Sequence, residues 1–258
     1  LSTVDKAISL LELFSVDEPE HGLTELARRS GFDKATTRRL LVSLARRGFV
    51  EQDAATRRYR LGAGLSRLAR IREARFPIMQ TALPFIREMV AATSETVHLA
   101  EVANGSLLTV LVEHPPRANR VNVNVGGYLP LHATASGIAY FSQARDEVVK
   151  AALSQPLAAF TSRTITEPEA IIGEIEAALR RGYSIGDQGF EEGVLSVAAP
   201  IVGSGGYAIG TLAIAAPVVR TSKAAVAKHG KIVAAAARQI SERLNGEGIN
   251  VIRNRASA

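Results

Sequence analysis

Hydrophobic and polar positions recur with two different periods along this chain, and the change from one to the other divides it. Near the start, Thr37, Leu40, Leu41 and Leu44 fall at the i, i+3, i+4, i+7 spacing of one helical face. The opposite face holds Thr36, Arg39 and Ser43, flanked by Lys34 and Arg38. Asp33 is placed to cap this helix. A shorter helix precedes it, with Thr24 as expected cap, Leu26 and Ala27 turned inward, and Gly31 at its end. Two short helices about a Gly-centred turn, the second one basic, predict a helix-turn-helix. Phe49 and Val50 then begin a strand, Asp53-Ala54-Ala55-Thr56 makes a polar turn, and Tyr59 and Leu61 return, with Arg58 and Arg60 on the other side. That alternation predicts a hairpin wing with Arg57 and Arg58 near its tip.

A helical stretch from Gly64 to Phe76 follows, stopped by Pro77, because a proline disfavours helical backbone in the residue before it. This reads as a stiff connector. A second helix, Ile78 to Thr93, turns Ile78, Leu83, Ile86, Met89 and Val90 inward, with Pro84 expected to kink or restart it. From Thr96 the period becomes that of strands: VHLAEVAN and SLLTVLVEH about an Asn104-Gly105 turn, then RVNVNVG as a third strand. One helix is expected from about Thr134, and another from Glu167 to Arg181, opened by Thr166 with Pro168 in its first turn. The strands VLSVAAPIV and YAIGTLAIAAP flank the turn at 203–206, and a long amphipathic helix from Thr221 to Leu244 closes the pattern. The whole predicts an α+β protein whose second part is an antiparallel sheet covered by helices. The expected divisions are a winged helix-turn-helix domain at 1–62, a linker helix at 63–76, an effector-binding domain at 77–246 and a C-terminal tail at 247–258.

Charge sharpens this division. Residues 28–75 hold 14 Lys or Arg against 4 acids, whereas residues 77–258 hold 16 against 15. Basicity confined to one part of the chain is the footprint expected of phosphate contact. A lone charge run is most often a solvated face, but here it lies on a reading helix and the wing beside it. The residues expected at DNA are Thr24, Lys34, Thr36, Thr37, Arg38, Arg39, Ser43, Arg57 and Arg58. Arg can donate twice to guanine, and Thr can touch a thymine methyl. A membrane surface would also attract such charge, but no segment combines it with a broad apolar face. With no long apolar run, no leader and no cysteine, the chain is expected to be soluble and cytoplasmic, without disulfides, thiolate catalysis or Cys-type zinc sites.

The whole chain resembles the IclR family of bacterial transcriptional regulators. The resemblance is carried by DKATTRRLLVSLARRGFVEQD in the winged part, GGYLPLHATASGIAYF at 126–141 and RRGYSIGDQGFEEGVLSVAAPIV at 180–202. It implies a GAF-like effector domain, a homodimer that often pairs into a dimer of dimers, a pseudo-palindromic operator in double-stranded DNA, and control of nearby catabolic genes by a small organic effector. It also implies an effector pocket at Val121, Leu131, Ala135, Ser136, Gly186, Val194, Ser196, Ala213 and Ala215. Several relatives carry polar groups where this chain has Gly186, Ala213 and Ala215. A flat, largely apolar ligand with one polar end, such as an aromatic acid, is therefore expected, held by Ser136, Ser196 and backbone N–H groups.

Some relatives carry metal in this domain, and His98, Glu101, His114 and His132 are the conspicuous candidates here. Residues i and i+3 on a strand point to opposite faces, so His98 and Glu101 cannot share an ion without a bulge; no metal and no other cofactor are expected. His132 reads as a hydrogen bonder at a helix entry, and Glu191 and Glu192 as loop carboxylates. An enzyme is the main competing reading. Ser136 stands in Thr-Ala-Ser-Gly-Ile rather than a Gly-x-Ser-x-Gly elbow, and no phosphate loop with Gly-Lys-Ser/Thr occurs. An architectural DNA protein would not need a large, nearly neutral second domain.

Overall fold

The structure is a computed structural model that describes residues 2–255, with side chains described for all of these except Arg75 and 247–255. The chain divides into two compact units between Phe76 and Pro77.

The first unit begins with α1 (Thr3–Leu11), which Ser2 caps in a reciprocal box with Asp5. β1 (Glu20–His21), α2 (Leu23–Ser30), α3 (Lys34–Arg46), β2 (Val50–Gln52), β3 (Tyr59–Leu61) and α4 (Ala63–Arg75) follow, with an antiparallel sheet in the order β1-β3-β2. Leu10, Leu26, Leu40, Leu41, Leu44, Val50 and Tyr59 form the core. Asp33 caps α3 by accepting from the Thr36 amide at 2.8 Å, and those amide bonds hold its carboxyl below the usual range. Gly31 ends α2 at φ 73°, where a side chain would strain the backbone.

Three local expectations change. α2 starts two residues earlier than expected, with Gly22 as cap, so Thr24 is a helical residue rather than the cap. β1 is too short to leave an alternating pattern; it is fixed instead by His21, which is fully enclosed and bonded to the Leu13 carbonyl at 3.0 Å. α4 is grouped with the first unit: the Gly64 amide donates to the Gly48 carbonyl at 2.8 Å, and Gly62 donates to Phe49 at 2.8 Å. A Cβ on Gly64 would stand 2.7 Å from that same carbonyl, so glycine permits the approach.

The second unit opens with α5 (Ile78–Thr93), which runs on through Pro84 without a restart. β4 (Thr96–Ala103) and β5 (Ser106–Glu113) form a hairpin over Asn104 and Gly105, both at positive φ. Then come β6 (Tyr128–Leu129), α6 (Ala135–Phe141), α7 (Asp146–Leu153), α8 (Pro168–Arg181), β7 (Ser184–Asp187), β8 (Val194–Val202), β9 (Ala208–Pro217) and α9 (Lys223–Arg255). The strands form an antiparallel sheet in the order β6-β5-β4-β9-β8-β7. Alternation sorts its two faces. Val97, Leu99, Leu212 and Ile214 pack against α5 and α9, while Ala100 and Leu107 share a cluster with α6 and α8.

RVNVNVG is not a strand. Burial falls away along it, from Val121, which is buried, through Val123, half-buried, to Val125, exposed, and the short ladder with β5 is made downstream by Tyr128 and Leu129. Glu167, not Thr166, is the N-cap of α8, with Pro168 at its first position. The last helix begins at Lys223, because Thr221 closes a turn of 3₁₀ helix over Val218–Arg220. Its backbone continues to Arg255, into the segment expected as a tail at 247–258; residues 256–258 lie outside the described residues. Among the described residues no helix is long and apolar enough to cross a membrane.

Candidate functional site

In the first unit the candidate site is the exposed side of α3 and the wing. Lys34, Arg38, Arg39 and Ser43 are exposed, Thr36 is half-buried, and Thr24 is exposed on α2. Thr37 is a correction: it is fully buried with the leucines of its face, and its hydroxyl donates to the Asp33 carbonyl at 2.9 Å, so it supports the helix from within. The Ser43 hydroxyl is turned back on the Arg39 carbonyl at 3.1 Å.

The wing turn is held by Asp53, whose carboxylate accepts from the amides of Ala55 and Thr56 at 3.0 and 2.7 Å. These bonds hold its carboxyl below the usual range. The two wing arginines differ. Arg57 sits at the tip at φ 60° and is exposed. Arg58 is tied down, donating to the Glu20 carbonyl at 2.6 Å and lying 3.6 Å from Glu25.

In the second unit a cavity of about 280 Å³ opens between the sheet face toward α6 and the loops around it. Gly186, Ser196 and Ala215 form one row across β7, β8 and β9, and all three line it. Val121, Ala135, Ser136 and Val194 also line it. Leu131 and Ala213 do not. Leu131 packs beside the Leu107 and Phe141 cluster, and Ala213 is buried among Ala135, Ala139 and Ala198, a patch of small residues that lets α6 approach the sheet. Gly186 keeps the space open: a Cβ there would stand 2.8 Å from Ser196 Oγ and 3.0 Å from the Ala135 amide nitrogen.

Sequence reasoning missed the polar side chains at the buried end, His98 and Thr109, and the lid residues Gln188 and Phe190. By sequence alone His98 reads only as a possible metal ligand. The one irregularity between β4 and β5 skips Val110 on β5, leaving the alternation of β4 intact; His98 therefore faces the cavity while Glu101 does not line it. Among the described residues no group of three or more His, Cys, Asp or Glu is placed to hold a metal. His98 is buried, with Nε2 3.4 Å from Ser136 Oγ, and burial pushes its imidazole down to about 4. His132 bonds the Ala158 carbonyl at 2.9 Å on the far side of Ala133, beside Phe160, which packs edge-on against Phe190. Thr161 and Thr164 donate to the carbonyls of Gln188 and Gly189 at 2.7 and 2.6 Å, strapping this cover in place.

A pH dependence follows from His98. Its folded value lies below the ordinary 6.5, so between about 6.5 and about 4 the unfolded chain binds a proton that the folded chain refuses. Stability of the second unit is expected to fall as pH drops through that window, and less so in His98→Gln. Parallel declines of the thermal midpoints of wild type and variant would refute this assignment.

A basic reading helix beside an exposed wing, in a chain whose second unit also holds a ligand-sized cavity, is the arrangement of a DNA-binding transcriptional regulator. Residues 3–54 match the IclR helix-turn-helix domain, and residues 73–242 match the family described as bacterial transcriptional regulator IclR C-terminal. The chain belongs to the IclR family. The glycerol operon regulatory protein of Streptomyces coelicolor is 33% identical over 204 residues, 78% of this chain and 79% of that one. A protein of known structure from Silicibacter sp. TM1040, described as a putative IclR transcriptional regulator, shares 37% identity and a TM-score of 0.82, covering 95% of this chain and 96% of its own. An IclR homologue from Microbacterium hydrocarbonoxydans, solved as a complex with 4-hydroxybenzoate, matches with a TM-score of 0.84 at 26% identity, covering 95% and 100%.

Proposed function

We propose that this chain is a cytoplasmic regulator that binds a pseudo-palindromic operator as a homodimer or dimer of dimers, and that a small organic effector in the cavity of the second unit changes its hold on DNA. The genes controlled are catabolic ones near the operator. The observation that carries the reading is the cavity itself: about 280 Å³, mostly apolar, and polar at its buried end, a size suited to one aromatic ring. The relative that holds 4-hydroxybenzoate supports a flat ligand with a polar end. On the DNA side, Lys34, Thr36, Arg38, Arg39 and Ser43 supply the reading face, and Arg57 supplies a phosphate or minor-groove contact. For the effector to act, it must bind two poses of the protein with different affinity, a coupling typically of about 1–3 kcal/mol.

Selection of duplexes from a random library by the full chain tests this reading; enrichment of an inverted repeat is expected, and no enrichment would refute it. On the enriched site Arg39→Ala should lose about 1–3 kcal/mol of affinity while binding to random duplex changes little. Equal losses on both would reassign Arg39 to the phosphates.

A further inference from the structure

The chemistry of the cavity is more selective than its size. Its lining holds His98, Tyr128 and Glu191 as ionisable groups and, among the described residues, neither Lys nor Arg. Tyr128 and Glu191 are exposed, so they belong to the mouth. The lining polar side chains that are not exposed are those of His98, Thr109, Thr134, Ser136, Gln188 and Ser196, all uncharged near neutral pH. Two cations elsewhere in the unit are committed: Arg163 to Asp187 at 2.8 Å and Arg220 to Glu95 at 2.6 Å. Neither lines the cavity.

His98 Nδ1 and Thr109 Oγ1 are shut off from solvent and have no hydrogen-bond partner. A buried polar atom left unpaired costs stability, and a ligand that completes its hydrogen bond recovers that cost. Both belong to residues that line the cavity, and a neutral hydroxyl, aldehyde or amide that completes either bond, after a small turn of the side chain brings the atom to the cavity wall, needs no counter-charge. A carboxylate would meet no counter-charge, and moving an ionised group from water into such a place is expensive.

We propose that the buried end of the cavity selects an uncharged polar group on an aromatic ring and turns away the corresponding carboxylate. The inference rests on the effector reading of this cavity and narrows the expected aromatic acid to its uncharged relatives, such as phenols, aldehydes and amides. A carboxylate has one other route into the buried end. It can carry a proton in with it and leave His98 as the imidazolium, and its binding would then strengthen as pH falls. Glu191 at the mouth opposes an anion at any pH where it is ionised.

Benzamide and benzoate share a shape and differ in charge. Calorimetric titration of the full chain with each, near neutral pH in two buffers of different ionisation heat, separates affinity from proton uptake. Benzamide is expected to bind at least about tenfold more tightly, a difference of about 1.4 kcal/mol, with no net proton uptake. Val194→Trp, which fills the space from its half-buried rim, should abolish the binding, and Gly186→Ala, whose added Cβ would stand 2.8 Å from Ser196 Oγ, should weaken it. Equal or tighter binding of benzoate overturns the proposal. So does benzoate binding with uptake of one proton, because His98 has then become the counter-charge. Binding of neither compound overturns the aromatic-effector reading beneath it, which is a separate and recognisable result.

Discussion

Raising salt from about 50 to about 200 mM is expected to weaken DNA binding by about four orders of magnitude, and Arg57→Ala, but not Arg58→Ala, should flatten that dependence. The slope counts phosphate contacts, at about −0.9 per contact, and roughly four contacts on each of two protomers give this loss. Lys34, Arg38, Arg39 and Arg57, at the reading face and the wing tip, are exposed and without an ion pair among the described residues, as are Arg28, Arg46 and Arg47 beyond that face. Other members of the basic run already have acidic partners: Arg29 lies 2.6 Å from Glu18, Arg60 lies 3.2 Å from Glu51, and Arg58 lies 3.6 Å from Glu25 while it donates to the Glu20 backbone carbonyl. Raw charge therefore overstates the electrostatic footprint. Binding isotherms at several salt concentrations read the slope directly. An equal reduction by Arg57→Ala and Arg58→Ala would show that DNA pulls Arg58 away from Glu25 and the Glu20 carbonyl.

Arg220→Ala is expected to destabilise the second unit by about 3 kcal/mol, the low end for breaking a buried ion pair, because the arginine is 26% exposed. Glu95 is 5% exposed, and Arg220 grips both of its oxygens, at 2.9 and 2.6 Å. Its remaining nitrogen donates to the Asn119 carbonyl at 2.8 Å. Removing it strands a buried carboxylate and loosens the segment that reaches the cavity at Val121, although the Thr96 hydroxyl still holds the Val121 carbonyl at 2.7 Å. Arg220→Lys should recover only part of the loss, since an ammonium cannot make the forked pair. The double change Glu95→Gln with Arg220→Met should be milder than Arg220→Ala alone. Denaturant unfolding measures all three, and a wild-type midpoint for Arg220→Ala would remove the pair from any account of stability.

What the sequence revealed and what it hid follow from the range of the interactions. The Asp33 cap, the Leu40–Leu44 face, the Asn104-Gly105 turn and the strand Val194–Val202 are decided within a few residues, so their pattern is enough. Thr37 was legible as a core position by its spacing, yet its hydroxyl makes it look equally suited to DNA; only the bond back to Asp33 decides between the two. Glu95 and Arg220 are 125 positions apart, and no local signal joins them. The cavity is similar. Val121, Ser136, Gly186 and Ser196 could be placed by resemblance, but His98 and Thr109 arrive through the register of β4 with β5, which pairs Ala100 with Thr109 after skipping Val110. RVNVNVG misled because alternating valines do not report whether the backbone finds a ladder; here Val121 is buried while Val125 is exposed.

The Gly48–Gly64 contact bears on how regulators of this kind can be cut and rejoined. A head severed at residue 62 would leave the Gly48 carbonyl without the Gly64 amide and the start of α4 without its seat. The smallest portable reading head therefore ends at Phe76, and chimaeras that exchange operator preference between relatives should be spliced at the Phe76–Pro77 bond. A splice at residue 62 would inherit glycines at 62 and 64 only by the accident of which parent supplied them.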